Sequence, residues 1–503
     1  MDTSQPGINN LVQTFSMPVP GPVERSRNER INKVVVYELL YIYCKQITML
    51  AITDYIIIAF YFVLILTVGF WTGRKQEKEE FLISGRNLKS LQATTTIFSS
   101  RIGAAILLTY TALVYLFGLG AIWYFIGSVF GLFVFYFFGI KVKKIADKQK
   151  FYTMPDFFFF MKGRFAGYLA TLITIIIMFG WVVLNFTAGA KLISEYTPIT
   201  YGFSVVIVGV IILLYLLVGG FDAVVKTDII QTIGIFLLFI LMMYLLATTE
   251  KKPQLLFMDL FTTPVKEIVS FFLAGFFIPM ASPELWQRVY AIKDKAHFKR
   301  SLFLSSVFYM IIGFILLLIG LVIRADIPGI DPDTSLIVGF SRLLPVGLAG
   351  LSVVIIYSSV SSSADTYMFT AAASVTQDFL EKTGLTDRHK LKTSMRYSMV
   401  ILMGLGVSLA MILRDIVDVT FFFVSLTMSL GFLVVVIWIN PRVNRHSVNF
   451  SIFLCLIGVV VPAIIFGIST SLVIWAFGFC IGGLIFGFIL NIFKPARDEQ
   501  PIY

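Results

Sequence analysis

The residues Thr94-Thr95-Thr96-Ile97-Phe98-Ser99-Ser100-Arg101-Ile102-Gly103-Ala104-Ala105 set hydroxyls, small side chains and one full charge inside an apolar segment. A second segment, Ala274-Gly275-Phe276-Phe277-Ile278-Pro279-Met280-Ala281-Ser282-Pro283, holds two prolines, each of which removes a backbone donor. A third reads Ser358-Ser359-Val360-Ser361-Ser362-Ser363-Ala364-Asp365-Thr366. On a helix Ser359, Ser362 and Ser363 fall at i, i+3 and i+4, on one face. A helix interrupted at Ser99–Ile102 frees carbonyl oxygens. Three hydroxyls set against such carbonyls make an all-oxygen shell of the kind that hard cations take, and Na⁺ suits a shell with no carboxylate. Binding there is modest, helped by a membrane potential worth about 2.3 kcal/mol per charge per 100 mV. The competing reading is close helix packing on small residues, with hydroxyls bonded to their own helix.

Arg101 allows two readings. A charge inside a span costs about 2.5–3.5 kcal/mol on insertion scales, so it must face a cavity or a partner. A guanidinium beside an unwound helix is suited to bidentate capture of a carboxylate or phosphate, which would make the solute anionic. The alternative is an internal salt bridge that locks the helix. Trp181 and Asn185, at i and i+4, present a ring and an amide on one face. They are either a cavity lining or packing.

The elements that must position these residues are membrane helices. The 503-residue chain is 58% hydrophobic and only 14% charged, with a mean hydropathy of +0.88. That is too little charge to cover a soluble surface of this size. Apolar runs of about 20 residues recur, each able to cross a hydrocarbon core of ~30 Å. Thirteen candidate spans lie near 51–73, 92–117, 119–140, 165–190, 202–218, 226–248, 264–283, 301–323, 346–375, 396–413, 417–438, 449–468 and 470–492.

The net charge of +11 raises a nucleic-acid partner, but its distribution argues against one. Alternate joints between spans hold 27 of the 40 Lys and Arg residues, and the opposite joints hold only 7. Such asymmetry reports orientation, and it places the C-terminus and Lys141–Lys150 in the cytoplasm and the N-terminus outside. The expected organisation is a polar extension over 1–50, a transmembrane domain over 51–493 and a short cytoplasmic tail over 494–503. Five basic residues in the extension sit awkwardly in a translocated segment, and Met49 is a candidate natural start. Cys44, Cys455 and Cys480 lack metal-like spacing, and no nucleophile elbow, phosphate loop or zinc constellation appears. The chain is not expected to be an enzyme or to need a protein partner.

Four blocks then carry a family resemblance: Ile83-Ser84-Gly85-Arg86-Asn87-Leu88, the run Gly219–Gln231 with Gly219-Gly220-Phe221-Asp222, the run Trp286–Asp294 with Trp286-Gln287-Arg288, and Ser359–Thr366. In this order, over roughly residues 51–440, they resemble the sodium:solute symporter family of sodium/proline, sodium/galactose and sodium/sialic acid transporters. The resemblance implies an all-α, LeuT-type fold of about 13 helices, a 5+5 inverted repeat with one extra N-terminal helix. It implies Na⁺ as coupling ion, held by backbone oxygens of Ser99, Ile102 and Ser359 and by the hydroxyls of Ser362 and Ser363. Asp228 matches an acidic residue on the ion's path to the cytoplasm; an interfacial carboxylate near a helix start is the alternative. Asp365 reads as a structural hydrogen-bond acceptor, with a second ion-path acid as the alternative. Arg101 departs from the family, where an uncharged or acidic residue is usual.

The expected function is sodium-coupled import of a small polar or anionic solute by alternating access. A proton-coupled transporter of the same fold and a non-transporting membrane sensor are the rivals. All three serine hydroxyls are present, which disfavours the first. About 11 residues after the last span leave no room for an output domain, which disfavours the second.

Overall fold

The computed structural model describes residues 52–72, 78–248, 263–345 and 348–493. The extension over 1–50, the Met49 start, Cys44 and the tail over 494–503 lie outside the described residues. Among the described residues, eight helical stretches are long and apolar enough to cross a membrane. Their outer faces carry large apolar side chains such as Phe133, Ile240, Phe303, Ile464 and Phe488, all more than half exposed. Such a surface needs a hydrocarbon solvent, and the molecule is a multi-pass membrane protein.

In chain order, α1 covers Ile52–Thr72, α2 Lys78–Ile83 and α3 Ser90–Arg101. After a break, a π-helical turn at Ala105–Tyr110 leads into α4, Thr111–Phe117. Then follow α5 Ile122–Gln149, α6 Met154–Lys162, α7 Arg164–Tyr196 and α8 Tyr201–Thr248. The second part holds α9 Val265–Phe277, α10 Pro283–Ala291, α11 Lys295–Asp326 and α12 Ser335–Leu343. It continues with α13 Leu348–Ala373, α14 Leu391–Ile412, α15 Ile416–Ile439, α16 Arg445–Phe466 and α17 Leu472–Phe493.

The expected spans 202–218 and 226–248 are two helices that meet at a kink within α8. No loop separates them, because the chain turns at a single residue. Gly220 takes φ 58°, ψ −157°, a conformation that side chains disfavour. A Cβ there would also strike the Phe81 ring.

Two helices are interrupted where the sequence predicts it. Helix α3 ends at Arg101, and Ile102 leaves the helical region with φ −92°, ψ 62°. Gly103 lets α13 approach the interruption closely, because a Cβ on it would fall onto the Ser363 hydroxyl. In the second case α9 stops at Phe277, a turn spans Ile278–Ser282, and Pro283 opens α10. Pro at a first helical position sacrifices no hydrogen bond. The Trp286 indole N–H caps the turn by donating to Met280 O at 2.9 Å.

The two interrupted regions are tied to each other. Leu88 N donates to Ala291 O (3.1 Å) and Lys293 N to Leu88 O (3.0 Å). Gln287 Nε2 reaches Leu82 O at 3.0 Å. Beside them, Ser84 Oγ donates to Asp222 Oδ1 at 2.8 Å, and Arg86 Nη2 to Phe151 O at 2.8 Å. Residues from three of the sequence blocks therefore hold the two interrupted regions together. Helix α13 packs against α7 and α8, and α3 against α8 and α11, which brings the serine face to the first break.

Candidate functional site

The serine face of α13 meets the break after α3 along its length. Ser359 Oγ donates to Ile102 O. Ser362 Oγ reaches Ser99 O at 3.2 Å and Ser359 O at 2.8 Å. Ser363 Oγ donates to Ser100 O at 3.1 Å, as does the Tyr367 hydroxyl at 3.2 Å. Ser99, Ile102, Ser359, Ser362 and Ser363 are all fully buried. Each hydroxyl carries lone pairs besides its proton. A cation entering here can therefore take the hydroxyl oxygens and the carbonyls together, replacing the hydrogen bonds between them.

Asn185 holds the break in shape. Its Oδ1 accepts from Ala104 N at 3.2 Å, and its Nδ2 donates to Trp181 O at 2.7 Å. It is fully buried and lies outside the lining of the neighbouring cavity, whereas Trp181 forms part of that lining. The cavity, of about 40 Å³, also takes Arg101, Tyr124, Glu284, Tyr309 and Tyr367. The Arg101 guanidinium sits 5.5 Å from the centre of the Tyr309 ring. Its Nε and Nη1 are buried without a hydrogen-bond partner.

Asp228 is not interfacial. It is fully buried in α8, and its Oδ2 accepts from Arg288 Nη2 at 3.2 Å and from Thr96 Oγ1 at 2.5 Å. Arg288 is equally buried, and its other donors reach α3, α13 and, through Nη1 to Glu284 O at 3.2 Å, its own helix. Nε donates to Thr96 Oγ1 (2.8 Å) and Thr96 O (3.1 Å), and Nη2 to Thr366 Oγ1 (2.7 Å). One ion pair thus joins the first half of the broken helix to α8, α10 and α13. Asp365 accepts from Tyr215 OH at 2.7 Å.

Sequence reasoning missed Glu284, the Arg288–Asp228 pair and the tyrosines of the cavity. Glu284 carried a usable signal: it follows Pro283 at the second break, as Arg101 stands at the first. The tyrosines carried none, because aromatic residues abound throughout this chain.

The fold and the sequence both have known counterparts. The structure matches a Na⁺-coupled sialic acid symporter in a substrate-bound outward-open state with a TM-score of 0.66, at 16% identity, over 87% of this chain and 98% of that one. It also matches a nucleobase-cation-symport-1 family transporter in a closed conformation with a TM-score of 0.56, at 13% identity, over 85% of this chain and 98% of that one. Both likenesses concern the fold, which is LeuT-like.

Among curated relatives, sodium/proline symporter 2 of Staphylococcus saprophyticus is 26% identical over 360 residues, covering 65% of this chain and 68% of that protein. The human sodium/myo-inositol cotransporter is 25% identical over 393 residues, covering 65% of this chain and 54% of its own length. The family model described as sodium:solute symporter matches residues 81–446, from the Ser84–Asp222 scaffold through both breaks to the serine face. On that match, the chain belongs to the sodium:solute symporter family.

Proposed function

We propose that Na⁺ binds between α3 and α13, on the carbonyl oxygens of Ser99, Ile102 and Ser359 and the hydroxyls of Ser362 and Ser363. The observation that carries this reading is the set of serine hydroxyls turned onto the carbonyls at the first break. Asp228 would lie on the ion's path toward the cytoplasm, held until release by Arg288. The 13-helix, 5+5 inverted-repeat arrangement is supported by two interrupted helices five spans apart, at residues 102–104 and 278–282. The basic joints support an outside N-terminus and a cytoplasmic C-terminus.

In the same reading Arg101 receives an anionic group of a small solute imported with Na⁺, and Trp181 packs against that solute. Unmet donors on a cavity-lining guanidinium support this role, since a carboxylate there would restore charge-assisted hydrogen bonds. Binding Na⁺ at the break fixes the backbone that carries Arg101, which couples the two sites, and such coupling is reciprocal. Asn185 supports this by pinning Ala104.

Arg101→Gln is expected to weaken Na⁺-dependent solute uptake by at least about tenfold, the scale of one lost charged hydrogen bond, while Na⁺ binding persists. Uptake in proteoliposomes and Na⁺-dependent thermal shift of the same preparation measure the two effects separately. Unchanged uptake and solute preference would remove the anion-clamp assignment.

A further inference from the structure

The cavity beside the first break holds two opposite charges, one from each interrupted helix. Arg101 comes from the end of α3, and Glu284 from the first turn of α10. Glu284 is 4% exposed, and its Oε2 has no hydrogen-bond partner. The Nε and Nη1 of Arg101 are in the same condition. Among the described residues the two side chains form no ion pair within 4.0 Å, although buried pairs such as Arg288–Asp228 do form nearby. Each charge is thus left short of a contact at the wall of one small space. Burying charge in this way is costly unless a bound group completes its hydrogen bonds.

We propose that the solute is a small zwitterion whose carboxylate meets Arg101 and whose cationic nitrogen meets Glu284. This rests on the reading of Arg101 given above and adds the second charge. An anion alone would satisfy Arg101 but would sit beside the Glu284 carboxylate, which repels it. A cation alone would meet the reverse difficulty. A neutral polyol would leave both charges unpaired. Only a molecule with both signs completes both contacts.

The rest of the lining fits the same class. Tyr124, Tyr309, Tyr367 and the Trp181 ring line the space, with Trp181 and Tyr367 centroids 6.2 Å apart. Aromatic faces attract an ammonium group, more strongly when water is excluded.

The two breaks give the arrangement a mechanistic consequence. A zwitterion bridging Arg101 and Glu284 draws the two interrupted helices onto one ligand. In an alternating-access cycle, that bridge is a contact one state makes better than another, as coupling requires.

The test is a ligand series on the purified full-length chain, read by thermal shift in Na⁺ and in K⁺. The zwitterions are L-alanine, L-proline and glycine betaine. Their one-charge counterparts are propionate, cyclopentanecarboxylate, ethylamine and pyrrolidine, and myo-inositol is the neutral probe. The expected result is Na⁺-dependent stabilisation by at least one zwitterion, with its one-charge counterparts at least about tenfold weaker. Glu284→Gln should collapse the preference for the zwitterion over the carboxylate, and Glu284→Asp should retain it. If Glu284→Gln does not fold, the ligand series on the unaltered protein decides alone.

The inference is overturned if a carboxylate, an amine or myo-inositol stabilises as well as the zwitterions, or if Glu284→Gln folds and keeps the preference. It is equally overturned if Na⁺ stabilises and no zwitterion adds to it. If Na⁺ itself gives no shift over K⁺, the underlying sodium-site reading falls instead, and this inference falls with it.

Discussion

Arg288→Gln should destabilise the protein by about 3–5 kcal/mol, the scale of a buried ion pair left with one charged partner. The variant leaves Asp228 fully buried with no opposing charge, and it strips three hydrogen bonds from Thr96 and Thr366. Asp228→Asn in the Arg288→Gln background should recover much of the loss, because two neutral polar groups cost less to bury than one lone carboxylate. The double-mutant cycle, measured by denaturation of the purified protein in detergent, isolates the pair. Additive losses would mean that the ion pair contributes nothing beyond its parts. Transport is expected to suffer in both single variants, since the pair anchors the first half of the broken helix to α8 and α13.

Ser362→Ala and Ser363→Ala should each raise the Na⁺ concentration needed for half-saturation by an order of magnitude or more. Two effects of losing a hydroxyl compete here. The lost hydrogen bond to a backbone carbonyl has a net worth of only about 0.5–1.5 kcal/mol, so the protein without Na⁺ should be little altered. The lost oxygen is one of five in the proposed coordination shell, and even outer-shell substitutions commonly cost 10–100-fold in metal affinity. Ion binding therefore responds far more than folding. A large loss of stability in K⁺ with unchanged Na⁺ dependence would show instead that these hydroxyls serve helix packing.

Much of this was legible in the chain because membrane helices are written in long, uniform apolar runs, and departures from uniformity stand out. The polar run ending at Ile102 and the two prolines of residues 274–283 announced both breaks. The i, i+3, i+4 spacing of Ser359, Ser362 and Ser363 announced which face of α13 meets the first of them. Asp365 as a hydrogen-bond acceptor was likewise legible, and Tyr215 is its donor.

What escaped depends on distant pairing. Asp228 and Arg288 are 60 residues apart and look like ordinary charges near span ends until packing buries both. Glu284 was overshadowed by its neighbouring prolines, and only the cavity joins it to Arg101. Trp181 and Asn185 share a helix face, yet the structure divides them, the ring at the cavity and the amide on the break. The missing loop between the spans 202–218 and 226–248 was hidden because Gly220 alone turns the chain.

Sodium coupling is the central claim, and equilibrium binding of radiolabelled Na⁺ to the purified protein tests it without any knowledge of the solute. Saturable binding that K⁺ does not compete, and that disappears in the Ser362→Ala/Ser363→Ala double variant, is the predicted result. Absence of saturable Na⁺ binding, or equal binding in the double variant, would contradict it.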